Sequence, residues 1–300
     1  MQQHLTAAPR IIGGLGEIAS HYDVILCDVW GVVHDGETHY APATAALAAF
    51  RANGGAVVLI TNAPRPSAPI LRQLDHFGAP RAAYDALVTS GDVTIAAIAN
   101  EPVAPVLHIG PRRDHSLFDE AAIVCGRKLR LAAAEEAGFA VCTGLYEDEG
   151  LLDPAQYDAL FTRMLARRLT MICANPDLVV HVGAELIYCA GALAQAYAAR
   201  GGLVVMAGKP HAPIYTRSLE VAAKALGRSV DRARVLAIGD AMRTDIEGAG
   251  REGLDALFIT SGIHRADLHQ DDGAIEHEAF LQFFAATPHA PRYAMPALTL

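Results

Sequence analysis

Three hundred residues exceed one average domain and allow two. With 52% hydrophobic and 19% charged residues the chain can bury a sizeable core, which excludes a disordered polypeptide. A net charge of −9 leaves no basic surplus against phosphates and excludes nucleic acid as a general partner, while a small anion can still bind at a locally positive site.

Along the chain, "MQQHLTAAPRIIGGLGEIAS" lacks a basic start followed by an apolar block, so no signal peptide is expected. The glycine-rich "GGLGEIAS" from Gly13 follows no strand and reads as a flexible or helix-capping lead-in. Then short β-branched runs alternate with alanine-rich segments. Strands are expected at "DVILCD" (23–28), "AVVLIT" (56–61), "ALVTS" (86–90), "PVLHIG" (105–110), "FAVCTG" (139–144), "LTMICA" (169–174), "LVVMAG" (203–208), "RVLAIGD" (234–240) and "DALFIT" (255–260). Helices are expected between them, at 42–53, 67–78, 91–100, 154–168, 189–200, 212–227, 243–252 and 276–285. The proline-rich tail from Ala286 reads as irregular.

The strand runs are nearly all apolar rather than alternating, the mark of parallel strands buried on both faces. The βαβα order implies a doubly wound α/β fold. The longest apolar stretch, "LIYCAGALAQAYAA", is too short to span a bilayer, so no membrane is expected as a partner. Five cysteines in apolar runs, with no C-x-x-C, read as buried thiols of a soluble cytoplasmic protein.

Four strands end in polar residues: Asp28, Thr61 with Asn62, Lys209 after Gly208, and Asp240 after Gly239. Open parallel sheets bind ligands at the carboxyl ends of their strands, so these tips form one site if the strands are neighbours. A carboxylate, a hydroxyl, a lysine and two further carboxylates, Asp240 and Asp245 in "GDAMRTD", suit Mg²⁺ and phosphoryl transfer. Singly each is ordinary: "TN" before a proline is turn chemistry, "GKP" a loop lysine and "GD" a turn. Their joint order behind buried strands is not. The segment between the second and third tips would be an inserted domain.

The segments "DVWGVVHDG" (28–36), "LITNAPR" (59–65), "ICANPD" (172–177), "AGKPHAPIY" (207–215), "AIGDAMRTDIEGA" (237–249) and "FITSGI" (258–263) resemble the haloacid dehalogenase superfamily. Within it they are similar to the class IIA phosphatases, relatives of N-acetylglucosamine-phosphate and pyridoxal-phosphate phosphatases. The resemblance implies a doubly wound parallel-sheet core, residues 1–85 plus 201–300, with an inserted α/β cap at 86–200. It implies an aspartyl-phosphate on Asp28, with Thr61 and the backbone around Asn62 holding phosphoryl oxygens and Lys209 neutralising charge. Mg²⁺ would be held by Asp28, the backbone carbonyl of Trp30 and Asp240, with Asp245 supporting the metal or its waters. Asn175 and Asp177 lie in the cap stretch that faces the substrate, a small phosphorylated metabolite; "NPD" also reads as a plain turn. A homodimer is compatible with this reading.

One position departs from the pattern. Phosphatases of the family carry a second aspartate two residues after the nucleophile, which protonates the leaving oxygen and then activates water; here it is Trp30. An indole N–H only donates and is neither acid nor base. General acid–base catalysis contributes about 10²–10⁴-fold, so turnover of alkyl monoesters should suffer while phosphoryl transfer survives. The first reading is a hydrolase acting on good leaving groups, or one in which His34, Asp35 or His211 substitutes. A second is a weakly active or regulatory phospho-ligand binder. A third is a dehalogenase, in which an aromatic–glycine pair occupies this place, but which does not need the metal carboxylates retained here. Arg112 and Arg113 read as an anion contact or a solvated turn.

Overall fold

The computed structural model describes residues 8–182, 185–270, 272–285 and 287–300. Its strands are Arg10–Ile11 (β1), Val24–Asp28 (β2), Ala56–Thr61 (β3), Ala86–Thr89 (β4), Val106–Ile109 (β5), Phe139–Cys142 (β6) and Met171–Cys173 (β7). Val179–Val182 (β8), Glu185–Tyr188 (β9), Val204–Met206 (β10), Val235–Gly239 (β11), Asp255–Ile259 (β12) and Tyr293–Met295 (β13) follow. The chain divides into two compact units: Met1–Thr61, Leu71–Val88 and Tyr215–Leu300 in the first, Asn62–Ile70 and Thr89–Ile214 in the second.

The first unit holds a seven-stranded sheet in the order β1-β13-β12-β11-β2-β3-β4. The pairs β2–β3, β2–β11, β11–β12, β12–β13 and β1–β13 are parallel. Val24 to Asp28 and Val235 to Gly239 are buried throughout, as nearly unbroken apolar runs predict for strands covered on both faces. From β2 the chain moves outward through β3 to β4; from β11 it moves the other way through β12 to β13. The order therefore reverses between β2 and β11, and the carboxyl ends of those two strands flank the crevice where open α/β sheets bind ligands.

The second unit is a parallel sheet, β10-β7-β6-β5, with an antiparallel β8–β9 hairpin. Its strand residues sort by period two. Ala140 and Cys142 join Phe161, Met164 and Tyr197 in one core cluster, while Phe139 and Val141 join Ile98, Leu117 and Phe118 in another. Helices cover both faces of the sheet.

All nine expected strands form. The tail is not wholly irregular: Tyr293–Met295 pairs with β12 and β1 inside the large sheet. The expected helix 154–168 opens with a 3₁₀ turn at Pro154–Tyr157, capped by Asp153, before the α-helix Asp158–Ala166. The expected helix 243–252 begins as a π-helical turn, Met242–Ile246, and continues as Glu247–Arg251. The stretch after Gly13 forms two 3₁₀ turns, Leu15–Glu17 and Ala19–His21. Among the described residues no helix is long and apolar enough to cross a membrane.

Candidate active site

In the first unit, Asp28 ends β2 and Asp240 follows β11, one on each side of the reversal point. With Asp245 they form a buried cluster whose carboxylate oxygens lie within 4.8 Å of one another. Local structure fixes each group. Asp240 Oδ2 accepts the Ile263 N–H at 2.9 Å, and a Cβ on Gly31 or Gly262 would overlap its carboxylate. The π-helical turn carries Asp245 back toward β11, where Oδ2 accepts the Ala241 N–H at 3.1 Å. A Cβ on Gly239 would occupy the space of that side chain. π-Helical turns recur at functional sites because the extra residue re-aims side chains.

Three buried carboxylates this close repel one another unless a proton or a cation joins them. An all-oxygen, all-carboxylate set fits a hard divalent cation. The three expected carboxylates are thus brought together.

Trp30 and His34 sit on the turn that leaves Asp28. The turn closes through Gly31 N–H to the His34 carbonyl at 2.9 Å and Val33 N–H to the Val29 carbonyl at 2.8 Å. Trp30 remains 37% exposed, and its indole meets the His34 ring edge to face, centroids 5.2 Å apart. His34 is 4% exposed and packs on Phe77, centroids 5.0 Å apart. Its Nδ1 accepts the Gly36 N–H at 2.9 Å, so in the neutral ring Nε2 carries the proton. Burial lowers its pKa to about 4. Asp35 is exposed, and its Oδ1 accepts the N–H groups of Thr38 and Glu37, both at 2.9 Å; these bonds, the Thr38 one first, lower its pKa. Both therefore act within the turn. Sequence reasoning passed over Tyr40, the exposed aromatic at the end of this loop; burial, then the charges of Asp35 and Asp240, raise its phenol pKa. No motif marks it.

In the second unit Asn62, the chain neighbour of Thr61, is a buried hub. Its Nδ2 donates to Asp177 Oδ1 at 2.9 Å and to the Lys209 carbonyl at 3.1 Å, and its Oδ1 accepts the Lys209 N–H at 2.7 Å. The amide is thus engaged on both ends and leaves only backbone groups for a ligand. Asn175 Oδ1 accepts the Asp177 N–H at 3.1 Å, shaping the turn that presents Asp177 to Asn62. Lys209 is buried, and a Cβ on the preceding Gly208 would collide with Asn62, Ser90 and Pro176. His211 N–H donates to the Gly208 carbonyl at 2.9 Å. Arg113 pairs with Glu147, and the Arg112 N–H donates to Asp148 Oδ2 at 2.7 Å, so this pair ties down the 147–149 turn.

Two family profiles match the chain: a haloacid dehalogenase-like hydrolase over residues 25–124 and a HAD-hydrolase-like one over residues 206–283. The structure of a haloacid dehalogenase-like family hydrolase from Brucella suis 1330 superposes with a TM-score of 0.82. It shares 43% identity, over 96% of this chain and 100% of that one.

The chain belongs to the haloacid dehalogenase superfamily.

Its fold is that of the class IIA members. It is similar to a D-glycerol 3-phosphate phosphatase of Mycobacterium tuberculosis, with 29% identity over 252 residues, 83% of this chain. The chain spans 66% of the length of that curated relative. A glycerol phosphate phosphatase from Mycobacterium tuberculosis, solved in complex with calcium, shares 26% identity over 82% of this chain and 68% of that one, with a TM-score of 0.59. The chain is a haloacid dehalogenase-like hydrolase.

Proposed function

We propose that this hydrolase is a Mg²⁺-dependent phosphatase of a small phosphorylated metabolite, working through an aspartyl-phosphate on Asp28. The observation that carries the reading is the buried cluster of Asp28, Asp240 and Asp245 at the reversal point of the sheet. Phosphatase names among the relatives support it.

An oxygen of Asp28 attacks phosphorus, the bond to the leaving oxygen breaks, and that oxygen departs with the electron pair. Water then attacks phosphorus; Asp28 leaves as carboxylate, and both water protons end on oxygens of the phosphate product, which departs as dihydrogen phosphate. Asp28, Asp240, Asp245 and the Trp30 carbonyl are the groups that would hold Mg²⁺, which when bound neutralises charge on the phosphoryl oxygens. In this reading Thr61 and the backbone after it bind phosphoryl oxygens, and Lys209 supplies the positive charge. The second unit acts as the cap that selects the substrate, with Asn175 and Asp177 shaping its Asn62 anchor.

We assign no proton transfer to His34 or Asp35. His34 is buried and neutral at pH 7, and its Nδ1 already accepts a hydrogen bond; Asp35 is ionised and held by two backbone N–H groups. In this reading, with no proton transfer at either residue, leaving groups that depart as stable anions, such as acyl and enol phosphates, are the preferred substrates, and His211 is the remaining candidate acid. The test is turnover of acetyl phosphate, an aryl phosphate and an alkyl phosphate, with Mg²⁺ and with EDTA. The wild type should favour acetyl phosphate by at least ~10² over the alkyl ester, and Asp28→Asn should abolish turnover. Trp30→Asp should raise alkyl ester turnover by about 10²–10⁴, with Trp30→Asn controlling for lost packing. Equal, rapid wild-type rates on acetyl and alkyl phosphates would sink the leaving-group preference. Multiple turnover that survives Asp28→Asn would remove the aspartyl-phosphate.

A further inference from the structure

Trp30 does more in this structure than displace an acid. Its indole is held on two sides and open on the rest. One edge meets the His34 ring, which rests in turn on Phe77. Another part of the ring lies over Gly36, where a Cβ would stand 2.6 Å from Cη2 and where φ is +100°. A side chain at position 36 would displace the indole, and the positive φ already favours glycine there. The His34 bond to Gly36 N–H fixes the same turn from beneath. The ring is thus preorganised, yet 37% of the residue stays exposed, two residues beyond Asp28. The turn it stands on abuts the acidic cluster, since a Cβ on Gly31 would overlap Asp240. A large apolar ring kept rigid and exposed on a turn that meets the acidic cluster is expected to have a ligand to cover it.

We propose that Trp30 is a stacking platform that selects substrates whose leaving group is planar and conjugated: aryl, heteroaryl or enol phosphates. The inference rests on the phosphatase reading and narrows it. Both properties of the side chain converge on one substrate class. An indole provides no proton, and a phenolate or enolate needs none; an indole offers a π face, and such leaving groups present one. As phosphorus bonds to Asp28, the P–O bond breaks and the conjugated oxygen leaves as the anion, with its charge delocalised into the ring or the adjoining double bond. Within this class, a flat leaving group is favoured over an equally acidic one of another shape.

Trp30 is the one tryptophan in the chain, so intrinsic fluorescence reports this residue alone. The experiment titrates full-length protein with phenylphosphonate and ethylphosphonate, neither of which turns over, in the presence of Mg²⁺. Phenylphosphonate should quench the emission and bind about three- to tenfold more tightly. By calorimetry that preference should vanish in Trp30→Leu and persist in Trp30→Phe. Equal affinities in the wild type, or a preference retained in Trp30→Leu, would overturn stacking while leaving the phosphatase reading intact. Binding of neither phosphonate would remove the phosphoryl site and the stacking proposal together.

Discussion

Asn62 shows how much one amide can organise. Asp177 and Lys209 lie 115 and 147 residues away in sequence, and both meet the same side chain. Truncation would remove both buried bonds between the Asn62 amide and the Lys209 backbone, and a lost buried hydrogen-bond partner costs about 1–3 kcal/mol. Asn62→Ala should therefore lower unfolding stability by roughly 1–3 kcal/mol, read from urea denaturation. A loss under ~0.5 kcal/mol would show that the hub is replaceable by water. Asp28, Asp240 and Asp245 were legible in sequence because each follows, or lies just beyond, a buried apolar run. The Asn62 network was not, because its partners are fixed only by tertiary packing; "TN" and "NPD" look like turns whether or not they meet. Trp30 was legible as a departure from a pattern, but its rigid support by Gly36 and His34 was not.

At the scale of elements, strands with long apolar runs announced themselves, while those whose burial depends on a neighbour did not. Tyr293–Met295 is three residues between proline-bearing stretches, and only its place between β12 and β1 makes it a strand. The β8–β9 hairpin lies on no larger sheet, so its pattern lacked the unbroken hydrophobicity used to find the others. Helix Ser116–Cys125 was passed over because Asp119 and Glu120 interrupt its apolar stripe; Leu117, Phe118 and Ala121 nonetheless bury one face. The neighbouring strands β5 and β6 carry a pH response. His108 on β5 shares a 2.9 Å hydrogen bond with the Thr143 hydroxyl just after β6, and burial, then the nearby His115, lowers its pKa to about 4. The unfolded chain takes up this proton near pH 6.5 and the folded one only near 4, so its contribution is whole above about pH 6.5 and is lost as pH falls toward 4. Denaturant melts at pH 7, 6 and 5 should show a steeper loss in the wild type than in His108→Gln. Parallel losses in both would mean that other groups set the acid response.

At the scale of the whole chain, the proposed cation site makes a thermodynamic prediction: three carboxylates with ligand atoms within 4.8 Å of one another should be stabilised by a bound divalent ion. Adding Mg²⁺ to EDTA-treated protein should raise the melting temperature, by the equivalent of about 2.7 kcal/mol when the cation reaches a hundred times its dissociation constant. Asp245→Asn should melt higher than the wild type in EDTA and respond less to Mg²⁺. Identical melts with and without the cation would leave the cluster as a structural feature only. The peptide bond between Thr61 and Asn62 also marks where the first unit gives way to the second, and the chain crosses between units again after Ile70, Val88 and Ile214. The second unit is thus stitched in by two separate threads. A transplant carrying only residues 89–214 would arrive without Asn62, and with it the three hydrogen bonds that join Asp177 to Lys209. Whoever swaps this unit between relatives must graft the nine-residue thread Asn62–Ile70 as well, and the natural cut lies inside the "TN" dipeptide itself.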